Sequence, residues 1–282
     1  MEFLSKVCVV TGASSGIGRR TALDLGAGGA RVCVAARRKE RLTTLVDAMG
    51  GSGAGHSWVV ADVAKRDDVR ALASHVERRH GRCDILINNA GFAREGPFDG
   101  PGAVEDLELV VGTNFWGTVF CTAELLPLLA RSAPAHVVNV ASMAGRLALP
   151  GASSYCASKF AVVGWSEAVR ADLARRGVRL SLIEPGFVPT EGFPQRALSR
   201  HPLLRHALAS DADVARAIMD VIAGGKAGRV VPRWYHLLEL PRVLMPPLHR
   251  WAQGRAAARA PGLPGPDPVV RLAPGGGRGP ES

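Results

Sequence analysis

Six short runs rich in Val, Ile and Leu recur along this chain, and between them lie longer segments whose apolar residues follow a helical spacing. That alternation constrains the fold more than any other feature. The runs at 7–11, 31–36, 57–61, 84–88, 136–141 and 178–184 read as strands covered on both faces. Segments 16–27, 41–49, 67–80, 103–131 and 152–176 read as the intervening helices. Strand, helix, strand in repetition means parallel strands joined by right-handed crossovers. The expected architecture is an α/β doubly wound parallel sheet with helices on both faces. A further helix is read at 211–223, with Asp211 as its N-cap, and a last short strand at 229–232.

Composition closes off other classes. With 47% hydrophobic residues in 282, the chain has the apolar material for one large core, which excludes wholesale disorder. Its five cysteines (Cys8, Cys33, Cys83, Cys121 and Cys156) are scattered, without a CxxC pair or a Cys/His cluster. Neither a disulfide scaffold nor a metal site is expected. No uncharged apolar run reaches the length of a membrane span, and the first strand begins almost at once, leaving no room for a leader peptide. The expected location is cytoplasmic.

Net charge is +10, of which +6 falls in 226–282. The nearly balanced body argues against nucleic acid as a partner. Residues 233–260 form an aromatic and basic extension, and 261–282, about half Gly and Pro, read as a flexible tail. Residues 1–232 are left as one domain, the part that carries the alternating strands and helices. Trp234, Tyr235, Trp251 and the arginines of the extension are open to three readings: packing, cover over a substrate mouth or a subunit surface, or a weak peripheral membrane contact.

The first strand runs into Thr11-Gly12-Ala13-Ser14-Ser15-Gly16-Ile17-Gly18, followed by a helix. Gly12, Gly16 and Gly18 permit a tight turn and a close backbone approach to a phosphate, with the helix N-terminus offering free amides. The spacing is GxxxGxG, and a plain glycine-rich turn is the alternative. With the parallel sheet, this turn points to a Rossmann-like fold. The second strand ends Val34-Ala35-Ala36-Arg37-Arg38, without the acid that NAD-specific sites place there to hold the ribose. Arg37 is read as the ligand of a 2′-phosphate, with Arg38 second to it, so NADP(H) is the expected cofactor. A solvated helix start is the alternative.

Tyr155 and Lys159 are one helical turn apart within 152–176 and so share a face. A nearby ammonium favours phenolate, which is expected to lower the Tyr155 pKa toward neutrality and suit it to acid/base work. By itself such a pair is more often a surface pair. Ser142 follows the fifth strand at the sheet edge where ligands bind, placed to donate to a carbonyl oxygen or else to cap a turn.

In this company the chain resembles a short-chain dehydrogenase/reductase, a NADP(H)-preferring one. The resemblance rests on Thr11–Gly18, Asp62-Val63, Asn88-Asn89-Ala90-Gly91, Asn114, Ser142, Tyr155-Cys156-Ala157-Ser158-Lys159 and Pro185-Gly186 with Thr190, in family order over about residues 5–232. It implies Tyr155 as acid/base, Lys159 on the nicotinamide ribose, Ser142 orienting the carbonyl, and Asn114 holding a water that links Lys159 to solvent. It implies cofactor contacts at Gly12, Ser14, Ser15, Gly16, Ile17 and Gly18, at Asp62 and Val63 beside adenine, and at Asn88, Ala90 and Gly91 as a wall. Pro185, Gly186, Val188 and Thr190 would lie near the nicotinamide. The implied reaction is reduction of a ketone or aldehyde to an alcohol, or the reverse, by a homo-oligomer, dimer or tetramer. A NADP(H)-binding sensor without turnover is the alternative. Met143, Leu147, Leu149, Phe187 and Phe193 are candidates for a lipophilic substrate pocket, or equally for ordinary core.

Overall fold

A computed structural model describes residues 3–189, 191 and 208–259, with side chains as far as 255. Its centre is a seven-stranded, all-parallel sheet in the order β3-β2-β1-β4-β5-β6-β7. The strands are β1 (Val7–Thr11), β2 (Arg31–Ala36), β3 (Ser57–Val60), β4 (Ile85–Asn88), β5 (Ala135–Val140), β6 (Val178–Pro185) and β7 (Gly228–Val231). The helices are α1 (Gly16–Ala27), α2 (Lys39–Ala48), α3 (Arg66–His80), α4 (Ala103–Val111), α5 (Gly117–Arg131), α6 (Ser153–Ala174), α7 (Asp211–Gly224), α8 (Leu240–Leu244) and α9 (Pro246–Arg259). The doubly wound sheet expected from the alternation is present, with element ends displaced by no more than a few residues.

Because side chains alternate along a strand, β1 feeds two cores. Cys8 and Val10 pack with Ala22 and Leu25 of α1, Leu42 and Leu45 of α2, and Val214 and Ile218 of α7. Val7 and Val9 pack on the other face with Val69 and Leu72 of α3, Leu125 and Leu129 of α5, and Leu173 of α6. Burial on both faces is why these strands read as continuous apolar runs. The order reverses between β1 and β4, and beyond the carboxyl ends of these two strands a crevice must open.

Two local readings are corrected. The N-cap of α7 is Ser210, not Asp211. The Asp213 amide donates to Ser210 Oγ at 3.1 Å and the Ser210 amide to Asp213 Oδ2 at 3.1 Å, a reciprocal box that fixes the helix start one residue earlier. The segment 103–131 is interrupted by a π-turn over Gly112–Trp116, which carries Asn114. Taken as one helix, Ala103–Arg131 has the length and apolar character to cross a bilayer when charged residues within it such as Glu108 and Glu124 are admitted, whereas the sequence reading considered uncharged runs alone. Its apolar residues Cys121, Leu125, Leu128 and Leu129 instead pack against the sheet and α3.

Candidate active site

The glycine turn closes one side of the crevice. Gly12 has φ +64°, and a Cβ there would stand 2.7 Å from Ala90 Cα, so no side chain fits between the ends of β1 and β4. Thr11 and Asn89 bind these ends together. Thr11 Oγ1 accepts from the amides of Asn89 and Ala90 at 3.1 and 3.2 Å, while Asn89 Nδ2 donates to the carbonyls of Thr11 and Gly12 at 3.1 and 3.3 Å. Helix α1 begins at Gly16, and its N-cap Ser15 makes no side-chain cap bond. The first-turn amides are left for an anion at the positive end of the helix dipole. A backbone cradle that a Cβ would fill, with uncapped amides beside it, fits the pyrophosphate of a dinucleotide.

At the end of β2 the two arginines differ in how they are held. Arg38 is the anchored one. Its Nε and Nη2 donate to Ser14 Oγ at 3.2 and 2.9 Å, and Nη2 also reaches Ser15 Oγ at 3.0 Å. Arg37 is exposed and makes no hydrogen bond or ion pair among the described residues. Asp62 Oδ1 accepts from the Ala64 amide at 3.1 Å in a turn ahead of α3, whose N-cap is Lys65. Val63 is buried against Gly117 of α5.

The reacting side chains come from β5 and α6. Ser142 follows β5 at the start of a 3₁₀ turn, Met143–Gly145, where its Oγ accepts from the Ala144 amide at 3.1 Å and donates to Pro185 O at 3.3 Å. Behind this turn, Arg146 Nε donates to the buried carboxylate of Glu184 at 2.6 Å, and Nη2 to Glu167 at 2.7 Å, tying the turn to β6 and α6. Tyr155 hydrogen-bonds with Ser142. Lys159 is buried, donates from Nζ to Val140 O at 2.9 Å, and stands 5.7 Å from the Tyr155 ring centroid.

The electrostatics correct one expectation. Burial pushes the Tyr155 pKa up, only partly opposed by the Ser142 hydrogen bond. The net direction is upward, opposite to the lowering expected from the ammonium one turn away. Lys159 is itself destabilised as a cation, with burial lowering its pKa to about 8.

Asn114 lies beneath the site rather than on its surface. Its Oδ1 accepts from the Phe92 amide at 3.0 Å, and its Nδ2 donates to Phe92 O and Ser158 Oγ, both at 2.9 Å. A Cβ on Gly91 would come 3.0 Å from Asn114 Oδ1 and 3.6 Å from Lys159 Nζ, so Asn114 and Lys159 flank that glycine. The π-turn sets Asn114 facing the loop after β4, a common use of such turns at functional sites.

These groups converge on a cavity of about 250 Å³. Gly12, Ser15, Gly16 and Ile17 form its glycine-turn wall, with Gly91 beside them. Ser142, Tyr155 and Lys159 lie together on it, next to Pro185, Gly186 and Val188. Of the expected substrate residues, Met143, Leu147, Leu149 and Phe187 line it. Phe193 and Thr190 lie outside the described residues.

Asn88 is a second correction. Its side chain is buried, donating to Thr122 Oγ1 at 3.0 Å and Asn139 Oδ1 at 2.9 Å, and Asn139 in turn reaches Ser166. The residue on the cavity is its neighbour Asn89, because successive side chains at a strand end point to opposite faces. Glu95 and Leu238 also line the cavity, and so does Tyr235, for which cover over a substrate mouth was one of the readings. Tyr235 is 2% exposed and stacks edge-on to Phe187, with ring centroids 6.5 Å apart. It lies so close over Gly186 that a Cβ there would fall 1.9 Å from its ring.

A parallel sheet with a dinucleotide cradle and a Ser, Tyr and Lys on one cavity defines a nucleotide-binding oxidoreductase. The chain belongs to the short chain dehydrogenase family, whose profile matches residues 6–199. It is 34% identical over 212 residues to the 3-oxoacyl-[acyl-carrier-protein] reductase FabG of Thermotoga maritima, covering 73% of this chain and 86% of that protein. A short chain dehydrogenase/reductase from Burkholderia phymatum in complex with NAD superposes with a TM-score of 0.75 at 28% identity, over 86% of this chain and 94% of that one. A variant of actinorhodin polyketide ketoreductase with NADPH superposes with a TM-score of 0.73 at 32% identity, over 82% and 97%.

Proposed function

We propose that this chain is an NADPH-dependent carbonyl reductase acting on a lipophilic ketone or aldehyde. The observation that carries this reading is the convergence of Ser142, Tyr155 and Lys159 with the glycine turn on one cavity whose far wall is apolar. Similarity to two ketoreductases supports the direction of reaction. Arg37 and Arg38, in place of an acid after β2, support NADP(H), which would lie along Gly12–Gly18 with its nicotinamide between Gly91 and Pro185–Val188. NADPH consumption measured over a panel of ketones and aldehydes graded in lipophilicity tests this. Turnover on none of them would leave a binding protein without activity.

The chemistry a bound nicotinamide supplies is hydride transfer to the carbonyl carbon. Ser142 Oγ donates a hydrogen bond to the carbonyl oxygen as negative charge grows there. Tyr155, kept protonated by burial, gives its proton to the same oxygen. Lys159, fixed by Val140 O, favours the phenolate left behind. That support needs the ammonium, which is charged below its pKa of about 8 and neutral above it. The rate of reduction is therefore expected to fall as pH rises through about 8. A kcat that stays level through and beyond that pH would remove the ammonium from the mechanism.

Tyr235 shapes the apolar wall without touching the proton path. Tyr235→Leu is expected to raise KM for bulky ketones by about tenfold, because one well-packed apolar contact group is worth ~1–3 kcal/mol. Little change in kcat should accompany it. Steady-state kinetics on a large and a small ketone separate the outcomes, and an equal loss on both would refute the assignment.

A further inference from the structure

The anion site after β2 already holds an anion. Arg38 Nη1 donates to Glu191 Oε1 at 2.7 Å, and Arg41 from the first turn of α2 donates to Oε2 of the same carboxylate. The other nitrogens of Arg38 are engaged by Ser14 and Ser15, so the edge of the guanidinium left for a ligand is the one Glu191 occupies. Glu191 lies six residues beyond β6, so this contact joins the β2 side of the crevice to the β6 side. The two arginines hold its carboxyl below the usual range, which keeps it ionised at neutral pH. All three side chains are 40–50% exposed, and ion pairs this exposed are weak enough to be exchanged.

We infer that Glu191 is a cofactor-specificity residue, an internal carboxylate that competes with a 2′-phosphate for Arg38 and Arg41 and thereby weakens the preference for NADP(H) over NAD(H). The inference rests on the reading of the arginines as 2′-phosphate ligands. A phosphate cannot take both guanidinium groups while the carboxylate keeps them, and two anions on one pair of cations repel. A cofactor without that phosphate does not contest the site, so the effect is selective. The contact is thus a setting of selectivity between two dinucleotides rather than a part of the proton path.

The test is fluorescence titration of the full chain and of Glu191→Gln with NADPH and with NADH. The exposed substitution keeps the side-chain shape, and thermal melting without cofactor verifies that it folds. Glu191→Gln is expected to lower the NADPH Kd about three- to tenfold and to leave the NADH Kd within about twofold, the gain shrinking in high salt. An unchanged NADPH Kd overturns the inference. Weakened binding of both dinucleotides overturns it too, since the ion pair would then be a clasp over any bound dinucleotide. Arg38→Ala distinguishes the two levels. If wild type prefers NADPH and Arg38→Ala abolishes that preference while Glu191→Gln is neutral, only the role of Glu191 falls. If wild type shows no preference and Arg38→Ala leaves NADPH binding unchanged, the cofactor reading falls and takes this inference with it.

Discussion

Tyr155→Phe is expected to abolish carbonyl reduction, with kcat falling about 10²–10⁴-fold, the range that a positioned proton donor contributes. The loss is chemical rather than structural. The phenol ring fills the same space in Phe, and where the bond to Ser142 is forfeited Ser142 keeps its contacts to the Ala144 amide and Pro185 O. NADPH affinity should therefore stay within about twofold of wild type. Single-turnover kinetics at saturating NADPH, with cofactor titration on the same preparation, read both quantities. A variant retaining most of the wild-type rate would show that another group or solvent delivers the proton. Ser142 would then be the next residue to replace, since the proposed mechanism sets it on the same carbonyl oxygen.

Arg38→Ala carries the second large effect. Charge-assisted hydrogen bonds contribute ~1.5–3 kcal/mol each, and exposure of this side chain places the net effect toward the lower end. NADPH affinity is expected to fall about tenfold or more, with NADH affinity little changed. Arg37→Ala should act more weakly, because nothing in the described structure holds its guanidinium over the turn, whereas Ser14 and Ser15 hold that of Arg38. Equal losses of NADPH and NADH binding in Arg38→Ala would instead assign Arg38 to the shape of the glycine turn.

The sheet was legible in the sequence because burial on both faces leaves long β-branched runs, such as Val7–Thr11 ahead of the first helix and Arg31–Ala36 between the first two. The glycine turn and the Tyr155/Lys159 pair were legible because each needs particular residue types at fixed local spacing. What escaped depends on direction or distance. Asn88 and Asn89 are adjacent and alike, and only the alternation of side chains at the end of β4 sends one into the core and the other to the cavity. The π-turn around Asn114 adds a residue to a helical turn, and the glycines at its two ends, Gly112 and Gly117, do not by themselves tell a π-turn from a continuous helix. The upward pKa of Tyr155 follows from burial by residues distant in sequence, a quantity that an i, i+4 spacing does not contain. Tyr235 reaches Gly186 across about fifty residues of chain, and nothing local to either marks the meeting.

That last contact separates two jobs along the polypeptide. Every residue that the proposed function assigns to the nucleotide or the proton precedes the final strand, whereas Tyr235 and Leu238 of the cavity wall follow it. Exchanging residues beyond Pro232 for those of a sister protein would retune which guests are admitted while the catalytic apparatus stays untouched. Chains of this design can thus diversify their chemistry from the carboxyl end inward, one terminal graft at a time.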